Sequence, residues 1–233
     1  MQSNHTSKLH LGIIMDGNGR WATSRGLTRR RGHQAGVKAI RPIVEAAAEL
    51  GVGTLTLYAF SSDNWRRPAL EVSGLMGLLR RYLDDEVAGL ANAGIRLGLI
   101  GRRDRLPAGT IDRIAAAERE TANGDRLNLR IAFDYSARDM ILAAAARTDP
   151  STSREAFSSL VTGDGAPDVD LLIRTGGEQR LSDFLLWETA YAELLFLDQM
   201  WPEFRPKDLA SALAWFRSRQ RRFGGVSRAE VAA

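Results

Sequence analysis

Short apolar runs alternate along this chain with longer stretches in which apolar residues recur every three or four positions. The short runs are predicted to be β-strands and cover residues 12–16, 54–62, 95–101, 127–134, 170–174 and 193–198. Such alternation is typical of a parallel sheet covered by helices. We therefore predict one α/β domain over residues 1–233, with a central six-stranded, mostly parallel sheet and helices on both faces. Residues 1–9 and 226–233 are expected to be flexible.

The helical pattern after the first strand contains a proline. Apolar residues recur at helical spacing from Val37 to Ala48, and Gly51 ends the pattern. Pro42 lacks the amide hydrogen that a helix interior needs, so we predict a kink or a helix that starts late. Further helices are predicted at residues 69–92, 107–122, 137–147 and 206–222. Residues 148–169, rich in Ser, Thr, Asp, Gly and Pro, are predicted to be an irregular connector.

The predicted helix 69–92 carries an apolar stripe along one face. The stripe is formed by Leu75, Met76, Leu79, Tyr82, Leu83, Val87 and Leu90. Packing against a core explains such a stripe. A second interpretation is that part of this face lines a channel for an apolar ligand. The periodicity alone is compatible with both.

Composition narrows the chemistry that the chain can perform. It contains no cysteine, which excludes thiolate catalysis and cysteine-ligated zinc and fits a reducing cytosol. No run reaches the roughly 18 to 20 apolar residues of a membrane helix, and the polar N-terminus does not resemble a signal peptide. We therefore expect a cytoplasmic protein whose membrane contact is at most peripheral. A net charge of +4 is small for nucleic-acid binding, and no nucleic-acid partner is expected.

The first predicted strand ends in a loop suited to phosphate. Residues 16–20 read Asp-Gly-Asn-Gly-Arg, in which the glycines let the backbone approach a phosphate and the arginine balances its charge. Asp16 cannot attract phosphate itself, but a divalent cation takes carboxylate and phosphate oxygens together. The loop therefore predicts a magnesium-diphosphate site. The alternative is a turn followed by a solvated basic helix. His33, beside Arg29–Arg31, could donate to the same phosphate.

Three further polar stretches are candidates for substrate contact. Residues 61–68 follow the second strand, where Asn64 and Arg67 could position a charged substrate or belong to an ordinary surface loop. Residues 174–182 join two arginines, two glycines and a hydroxyl, which suits an anion because arginine presents a planar fork to phosphate. The alternative is a surface loop whose arginines pair with Glu178. Residues 221–225 by themselves indicate a frayed basic helix end.

Together these stretches resemble the cis-prenyltransferase family, which includes bacterial undecaprenyl diphosphate synthases. The matching segments are residues 15–21, 32–33, 57–61, 64–65, 173–178, 184–187, 191–193 and 222–225. Several motifs in the right order are more specific than any one alone. The resemblance implies magnesium-dependent elongation of an allylic prenyl diphosphate by isopentenyl diphosphate, with cis double bonds, in a homodimer that makes polyprenyl carrier lipid. It also favours an apolar substrate channel beside helix 69–92.

The resemblance further implies roles for individual residues. Asp16 would hold magnesium and act in catalysis with Asn64, and Glu193 would assist the metal. The allylic diphosphate would be bound by Gly17, Asn18, Gly19, Arg20, Arg29 and His33. The diphosphate of isopentenyl diphosphate would be bound by Arg174, Arg180 and Ser182. Trp21, Ser61 and Arg67 complete the expected substrate-binding set. Asn64 and Arg67 would lie on a loop that closes over the reacting ends, and residues 222–225 would reach a partner's site.

The chain departs from the family pattern at two places. It has Asp134-Tyr135-Ser136-Ala137 where many relatives have Asn-Tyr-Gly-Gly, and Asp183 where asparagine is usual. Added Cβ atoms and an extra acid at this edge could alter substrate fit. Two alternatives therefore stay open: a short-chain, branching or cyclising synthase of the same family, and a non-catalytic dimer partner. The second is disfavoured by five residues that are intact, namely Asp16, Asn18, Arg20, Arg174 and Arg180.

Overall fold

The computed structural model describes residues 8–219, which form a six-stranded sheet with helices on both faces. The strands are β1 (His10–Ile14), β2 (Thr54–Ser61), β3 (Ile95–Ile100), β4 (Leu127–Tyr135), β5 (Leu171–Arg174) and β6 (Glu193–Phe196). They lie in the order β3-β4-β2-β1-β5-β6, and every neighbouring pair is parallel. The predicted fold class and all six predicted strands are confirmed.

Eight α-helices lie within the described residues. They are α1 (Asn18–Thr23), α2 (Arg29–Lys38), α3 (Ile40–Glu49), α4 (Ala69–Asn92), α5 (Ala108–Glu120), α6 (Ala137–Ala145), α7 (Arg154–Thr162) and α8 (Pro206–Ser218). Short 3-10 turns occupy Ser62–Arg66 and Trp201–Glu203. The long helix over residues 69–92 is confirmed at both ends. The helices predicted near 107, 137 and 206 are confirmed with slightly shorter bounds.

The predicted kink near Pro42 is confirmed as a break between two helices. The chain leaves α2 at Ala39 and α3 begins at Ile40. Pro42 therefore lies in the first turn of α3, where a backbone N–H has no acceptor within the helix. The late start removes the cost of the missing donor.

The prediction of an irregular connector over residues 148–169 is wrong, because this segment contains α7. Ser153 caps the helix, its hydroxyl accepting a 3.2 Å hydrogen bond from the Ala156 amide. Gly163, with φ of 71°, ends it. Val161 is buried, which anchors the helix to the fold. The helix is amphipathic but has only nine residues, so the polar, glycine-rich composition of its flanks dominated the prediction.

Both ends of the chain extend beyond the described residues. Residues 1–7 and 220–233 lie outside them, and with these most of the ends predicted to be flexible and the whole of the 221–225 stretch. Residues 8 and 9 belong to the fold, since the Leu9 carbonyl accepts hydrogen bonds from the amides of Gly53 and Thr54. The last helix ends at Ser218 and the Arg219 backbone is extended, so this helix is shorter than the predicted range 206–222. Residues 220–222 lie outside the described residues.

Alternating side chains of the strands supply two cores. Leu11 and Ile13 of β1 belong to the larger core, which residues of α3, α4, α5 and α8 complete. Ile14 belongs to a smaller core on the other face, with Tyr58 and Phe184. Both faces are thus covered, and the carboxyl edge of the sheet stays accessible. No helix within residues 8–219 combines the length and apolarity needed to cross a bilayer.

The chain changes direction across the sheet at β1. β2 lies on one side of β1 and β5 on the other, with Ile14 in register with both Tyr58 and Arg174. In open α/β sheets, ligands bind in the crevice outside the carboxyl ends of the strands at such a switch point. The loops after β1 and β5 meet in this crevice.

Candidate active site

Asp16 lies just beyond β1 and faces the loop that follows β5. Its Oδ2 is 2.9 Å from Arg174 Nη2, and its Oδ1 accepts a 2.6 Å hydrogen bond from the Gly17 amide. Arg20 Nη2 is 3.5 Å from the same Oδ1. Burial by itself would raise the pKa of Asp16, but hydrogen bonds from Arg174 and Gly17 and the charges of both arginines outweigh it and lower that pKa. Asp16 is therefore an ionised carboxylate at neutral pH.

The loop that carries Asp16 is fixed by close packing of α1 on α2. Gly17 has a left-handed φ of 98°, which an L side chain rarely adopts. A Cβ on Gly32 would lie 2.0 Å from the Asn18 carbonyl oxygen, and one on Gly36 would lie 2.3 Å from Asn18 Oδ1. Only glycine at these α2 positions allows such an approach. The backbone of residues 16–20 is thereby held at the carboxyl edge of β1.

The loop after β5 is organised by a nearly buried arginine. Arg174 is 4% exposed, and its Nη1 donates to Ser182 Oγ at 2.9 Å and to the carbonyl oxygen of Arg180. Its Nε is buried and has no hydrogen-bond partner among the described residues. A Cβ on Gly176 would lie 3.1 Å from the Gly17 amide nitrogen, so the two loops pack backbone to backbone. Arg174 thus connects Asp16 to Ser182.

Glu178 forms ion pairs with Arg20 and Arg180, two exposed arginines of the crevice. It pairs with Arg180, as the surface-loop interpretation predicts, and its Oε1 is 3.6 Å from Arg20 Nη1. The Arg180 side chain is nevertheless 61% exposed and lines the same cleft as Asp16. The ion pair and the predicted anion-binding position are therefore compatible, because an exposed ion pair is weak and a diphosphate can replace it.

Glu71, on the first turn of α4, contacts three of the predicted substrate-binding side chains. Its Oε1 accepts a 2.9 Å hydrogen bond from Arg67 Nη1 and lies 3.5 Å from His33 Nε2. Its Oε2 lies 3.7 Å from Arg29 Nε. Burial lowers the pKa of His33 more than the Glu71 charge raises it, so His33 is a neutral N–H donor at neutral pH. Glu71 was not predicted, because Arg67 lies before the start of α4 and the contacts with Arg29 and His33 form only where α2 and α4 converge.

Two hydrogen bonds hold the loop over residues 61–67 against the ends of β2 and β4. The Asn64 Oδ1 accepts from the Ser61 amide at 3.2 Å, which fixes the side chain against the end of β2. Ser62 Oγ donates to Asp134 Oδ1 at 2.9 Å. The fully buried Asp134 carboxylate also accepts hydrogen bonds from Nε and Nη2 of Arg105. Arg105 also lies 5.5 Å from the Trp65 ring centroid. Arg105 was not predicted, and only the fold brings it here.

The remaining departures from the family pattern compensate one another. Ser136 Oγ donates to Asp183 Oδ2 at 2.6 Å, and the Arg138 amide donates to Asp183 Oδ1 at 3.1 Å. Asp183 has a φ of 63°, a conformation that aspartate and asparagine tolerate better than other side chains. The added acid therefore caps the start of α6 instead of facing the crevice unpaired.

A single open cleft of about 670 Å³ brings most of the predicted site residues together. Its lining includes the predicted residues Asp16, Gly17, Asn18, Gly19, Arg20, Arg29, His33, Ser61, Asn64, Arg67, Arg174, Arg180 and Ser182. Behind it lies a small apolar cavity of about 80 Å³, bounded by Met15, Ile40, Leu75, Leu79, Tyr82 and Phe133 among others. The cleft and the cavity meet at His33 and Leu75.

Two predicted residues are not brought to the cleft. Trp21 points to the far side of α1, where its ring lies 4.9 Å from the Arg25 guanidinium carbon. Glu193 begins β6, in register with Leu171 at the amino end of β5, and its Oε2 is 3.4 Å from Arg219 Nε. It is two strands away from Asp16 and lower along the sheet by roughly 10 Å or more. Within one protomer Glu193 cannot share a metal ion with Asp16.

Comparison with known proteins places these residues in a family context. A family model described as "Putative undecaprenyl diphosphate synthase" matches residues 14–224. Isoprenyl transferase 1 of Bradyrhizobium diazoefficiens is 66% identical over 232 residues, covering 97% of this chain and 94% of the relative.

Two solved structures share the fold closely. Lavandulyl diphosphate synthase from Lavandula x intermedia, crystallised with dimethylallyl diphosphate, superimposes with a TM-score of 0.89 at 36% identity, over 92% of this chain and 97% of that one. A "probable undecaprenyl diphosphate synthase" from Campylobacter jejuni gives a TM-score of 0.79 at 33% identity, over the same shares.

Proposed function

The chain belongs to the undecaprenyl diphosphate synthase family, the cis-prenyltransferases, and from that premise we propose that it joins isopentenyl diphosphate to an allylic prenyl diphosphate. Each added unit would carry a cis double bond. The observation that carries the proposal is the contact between Asp16 and Arg174, since it places two cation-rich loops on either side of one cleft. One anion site suggests binding, whereas two facing sites suggest transfer between two diphosphates.

The loop after β1 and the start of α2 are proposed to hold the allylic diphosphate. Arg20 and Arg29 supply charge, His33 supplies a neutral N–H, and the glycine backbone allows close approach. These groups oppose the negative charge that develops on the diphosphate as the allylic carbon–oxygen bond breaks. Their preorganisation lowers the barrier because the cations are already in place when the bond breaks.

The loop after β5 is proposed to hold isopentenyl diphosphate. Arg174 is fixed by Asp16 and Ser182, while the exposed Arg180 has room to turn from Glu178 to a diphosphate. The bound double bond then attacks the allylic carbon, a new carbon–carbon bond forms, and a proton leaves the carbon that becomes part of the cis double bond. The 61–67 loop, with Asn64 and Arg67, would cover these reacting ends and exclude water from the allylic cation.

Magnesium is proposed as the cofactor. Asp16 fits a hard cation because it is ionised and its side chain is 31% exposed at the cleft. Residues 8–219 contain no cluster of three acidic or imidazole side chains that could enclose a metal. Magnesium commonly binds through one or two carboxylates together with substrate phosphates, so Asp16 and the diphosphate oxygens would hold it. When bound, it would neutralise part of the charge on the departing diphosphate.

The apolar cavity behind the cleft is proposed to receive the growing chain. This cavity is small, about 80 Å³, so little chain fits without movement of α4. This small volume, with the fit to lavandulyl diphosphate synthase, favours a second candidate: synthesis of a short or branched product rather than polyprenyl carrier lipid. The size distribution of the products separates the two.

We further propose a cytoplasmic homodimer. Three large apolar side chains on or near the β6 edge and α6 are well exposed, with Tyr191 at 67%, Leu194 at 41% and Leu142 at 69%. A second copy covering these side chains would remove apolar surface from water. Substitution of Leu142 and Leu194 by glutamate would then lower the mass measured by light scattering to that of one chain.

The direct test of the activity uses purified full-length protein, magnesium, labelled isopentenyl diphosphate and allylic primers of several lengths. The proposal predicts labelled prenyl diphosphates that partition into butanol. A folded protein that forms no such product with any primer would refute the activity and favour the non-catalytic partner.

A further inference from the structure

A groove of about 930 Å³ runs between α2 and α4, next to the candidate active site. Its floor is a stripe on α4 formed by Leu70, Gly74, Gly77 and Leu78. A Cβ on Gly74 would meet no atom within 4 Å, so packing within this chain does not require glycine there. The absence of side chains at Gly74 and Gly77 deepens the groove at these positions. Arg29, His33 and Leu75 line both the groove and the cleft, so the two are continuous.

The rim of this groove is strongly cationic. Arg30 and Arg31 of α2 and Arg81 of α4 line it, and within residues 8–219 none of these three makes a salt bridge. Among residues 8–219, the only acid in the lining is Glu71, which is already shared among Arg29, His33 and Arg67. The groove therefore presents at least three uncompensated positive charges.

One apolar side chain of the stripe on α4 is strongly exposed. Leu70 is 89% exposed, the largest value among the exposed large hydrophobic residues that the structure describes, and Leu27, just before α2, is 43% exposed. An exposed leucine is stabilised only when apolar surface covers it, because this removes its side chain from water. Arginines that contact lipid headgroups, with leucines that enter the acyl boundary, are the two components of interfacial membrane binding.

We propose that the α2–α4 groove and its arginine rim form the surface by which this protein docks on an anionic lipid bilayer. The charges match the negative surface of such a bilayer, and Leu70 supplies the apolar contact. The inference rests on the proposed function in one respect: a prenyl product needs an apolar route out of the cleft, and this groove adjoins it. The small net charge of +4 and the apolar floor favour lipid over nucleic acid as the occupant.

Cosedimentation of the full-length protein with vesicles tests the surface. Phosphatidylcholine vesicles with and without phosphatidylglycerol are compared over a range of salt concentrations. An arginine near an anionic surface contributes about fivefold in partitioning, so Arg30→Gln with Arg31→Gln should weaken binding to the anionic vesicles about 25-fold. Leu70→Gln should weaken the binding that remains at high salt. Arg119→Gln with Arg154→Gln, which changes two exposed arginines on α5 and α7, is the matched control and should bind as wild type does.

The outcomes separate this inference from the proposed function. Equal binding of wild type and the Arg30/Arg31 double variant, or equal binding to both kinds of vesicle, would overturn it. Salt-sensitive binding of wild type to single-stranded RNA without binding to vesicles would overturn it in favour of a nucleic-acid surface. The double variant should retain wild-type turnover with a short, water-soluble allylic primer. A wild-type protein that binds vesicles but has no turnover would count against the proposed function alone.

Discussion

Arg174 Nη2 lies 2.9 Å from Asp16 Oδ2, where the carboxyl ends of β1 and β5 lie side by side. The strand that follows β1 lies on one side of this pair, and the strand that follows β5 lies on the other. The Arg174 side chain is only 5% exposed, so the contact is largely sheltered from solvent. It joins the loop proposed for the allylic diphosphate to the loop proposed for isopentenyl diphosphate. The two substrates would therefore bind on either side of one charge pair.

Asp16→Asn should remove most turnover while leaving the protein folded. The substitution keeps the shape of the side chain but removes the charge that is proposed to bind the metal and that pairs with Arg174. Loss of one preorganised electrostatic group typically costs 10²- to 10³-fold in kcat, and we expect a loss of about that size. Steady-state assays with labelled isopentenyl diphosphate measure it, with Asp125→Asn as an exposed control. Unchanged turnover would remove Asp16 from its proposed role.

Packing of α1 on α2 gives a matched pair of glycine substitutions. Gly32→Ala places a Cβ within 2.0 Å of the Asn18 carbonyl oxygen, and we expect it to cost about 1 to 3 kcal/mol in the free energy of unfolding and to reduce turnover. Gly74→Ala meets nothing and removes a helix-interior glycine, so it should stabilise by roughly 0.5 to 1 kcal/mol. Urea unfolding compares them. A Gly32→Ala protein as stable as wild type would contradict the close packing.

Stability should fall in acid because of His10. This buried side chain contacts Thr56 Oγ1 and the Pro167 carbonyl, and burial lowers its pKa from 6.5 to about 4. The unfolded chain takes up a proton at His10 below pH 6.5 and the folded chain only near pH 4, so folding loses stability as pH falls through this window. The loss should reach roughly 3 kcal/mol by pH 4. His10→Gln should lose less stability over the same range, as measured by urea unfolding at each pH, and an identical pH dependence would contradict the assignment.

Tyr82 should limit the length of the product. Its buried ring, with Val37 and Leu78, separates the apolar cavity behind the cleft from an outer groove on the α2 and α3 side. Tyr82→Leu should connect the two spaces and shift the products to longer chains by one or more five-carbon units. Tyr82→Phe keeps the ring and should leave the distribution unchanged. Chromatography of the products decides, and an unaltered distribution in a folded Tyr82→Leu protein would contradict this role.

Sequence patterns predicted the sheet better than they predicted the details of the site. The strands were readable because buried parallel strands are short, continuous apolar runs, and the Asp16 and Arg174 loops were readable because each follows such a run. The role of Glu71 depends on α2 and α4 converging, which local sequence does not encode. The position of Glu193 depends on strand order, since its motif does not reveal which edge of the sheet it occupies. The helix α7 was missed because its flanks are richer in signals than its own nine residues.

The most direct test of the two-site account is a comparison of KM values for both substrates in Arg29→Gln and Arg180→Gln. Both arginines are more than half exposed, so neither substitution leaves a buried charge unpaired. A lost charged hydrogen bond typically costs about tenfold to a hundredfold. The account predicts that Arg29→Gln raises the KM of the allylic diphosphate by that factor and Arg180→Gln raises the KM of isopentenyl diphosphate, each leaving the other substrate's KM near wild type. Both variants raising the KM of the same substrate would contradict it.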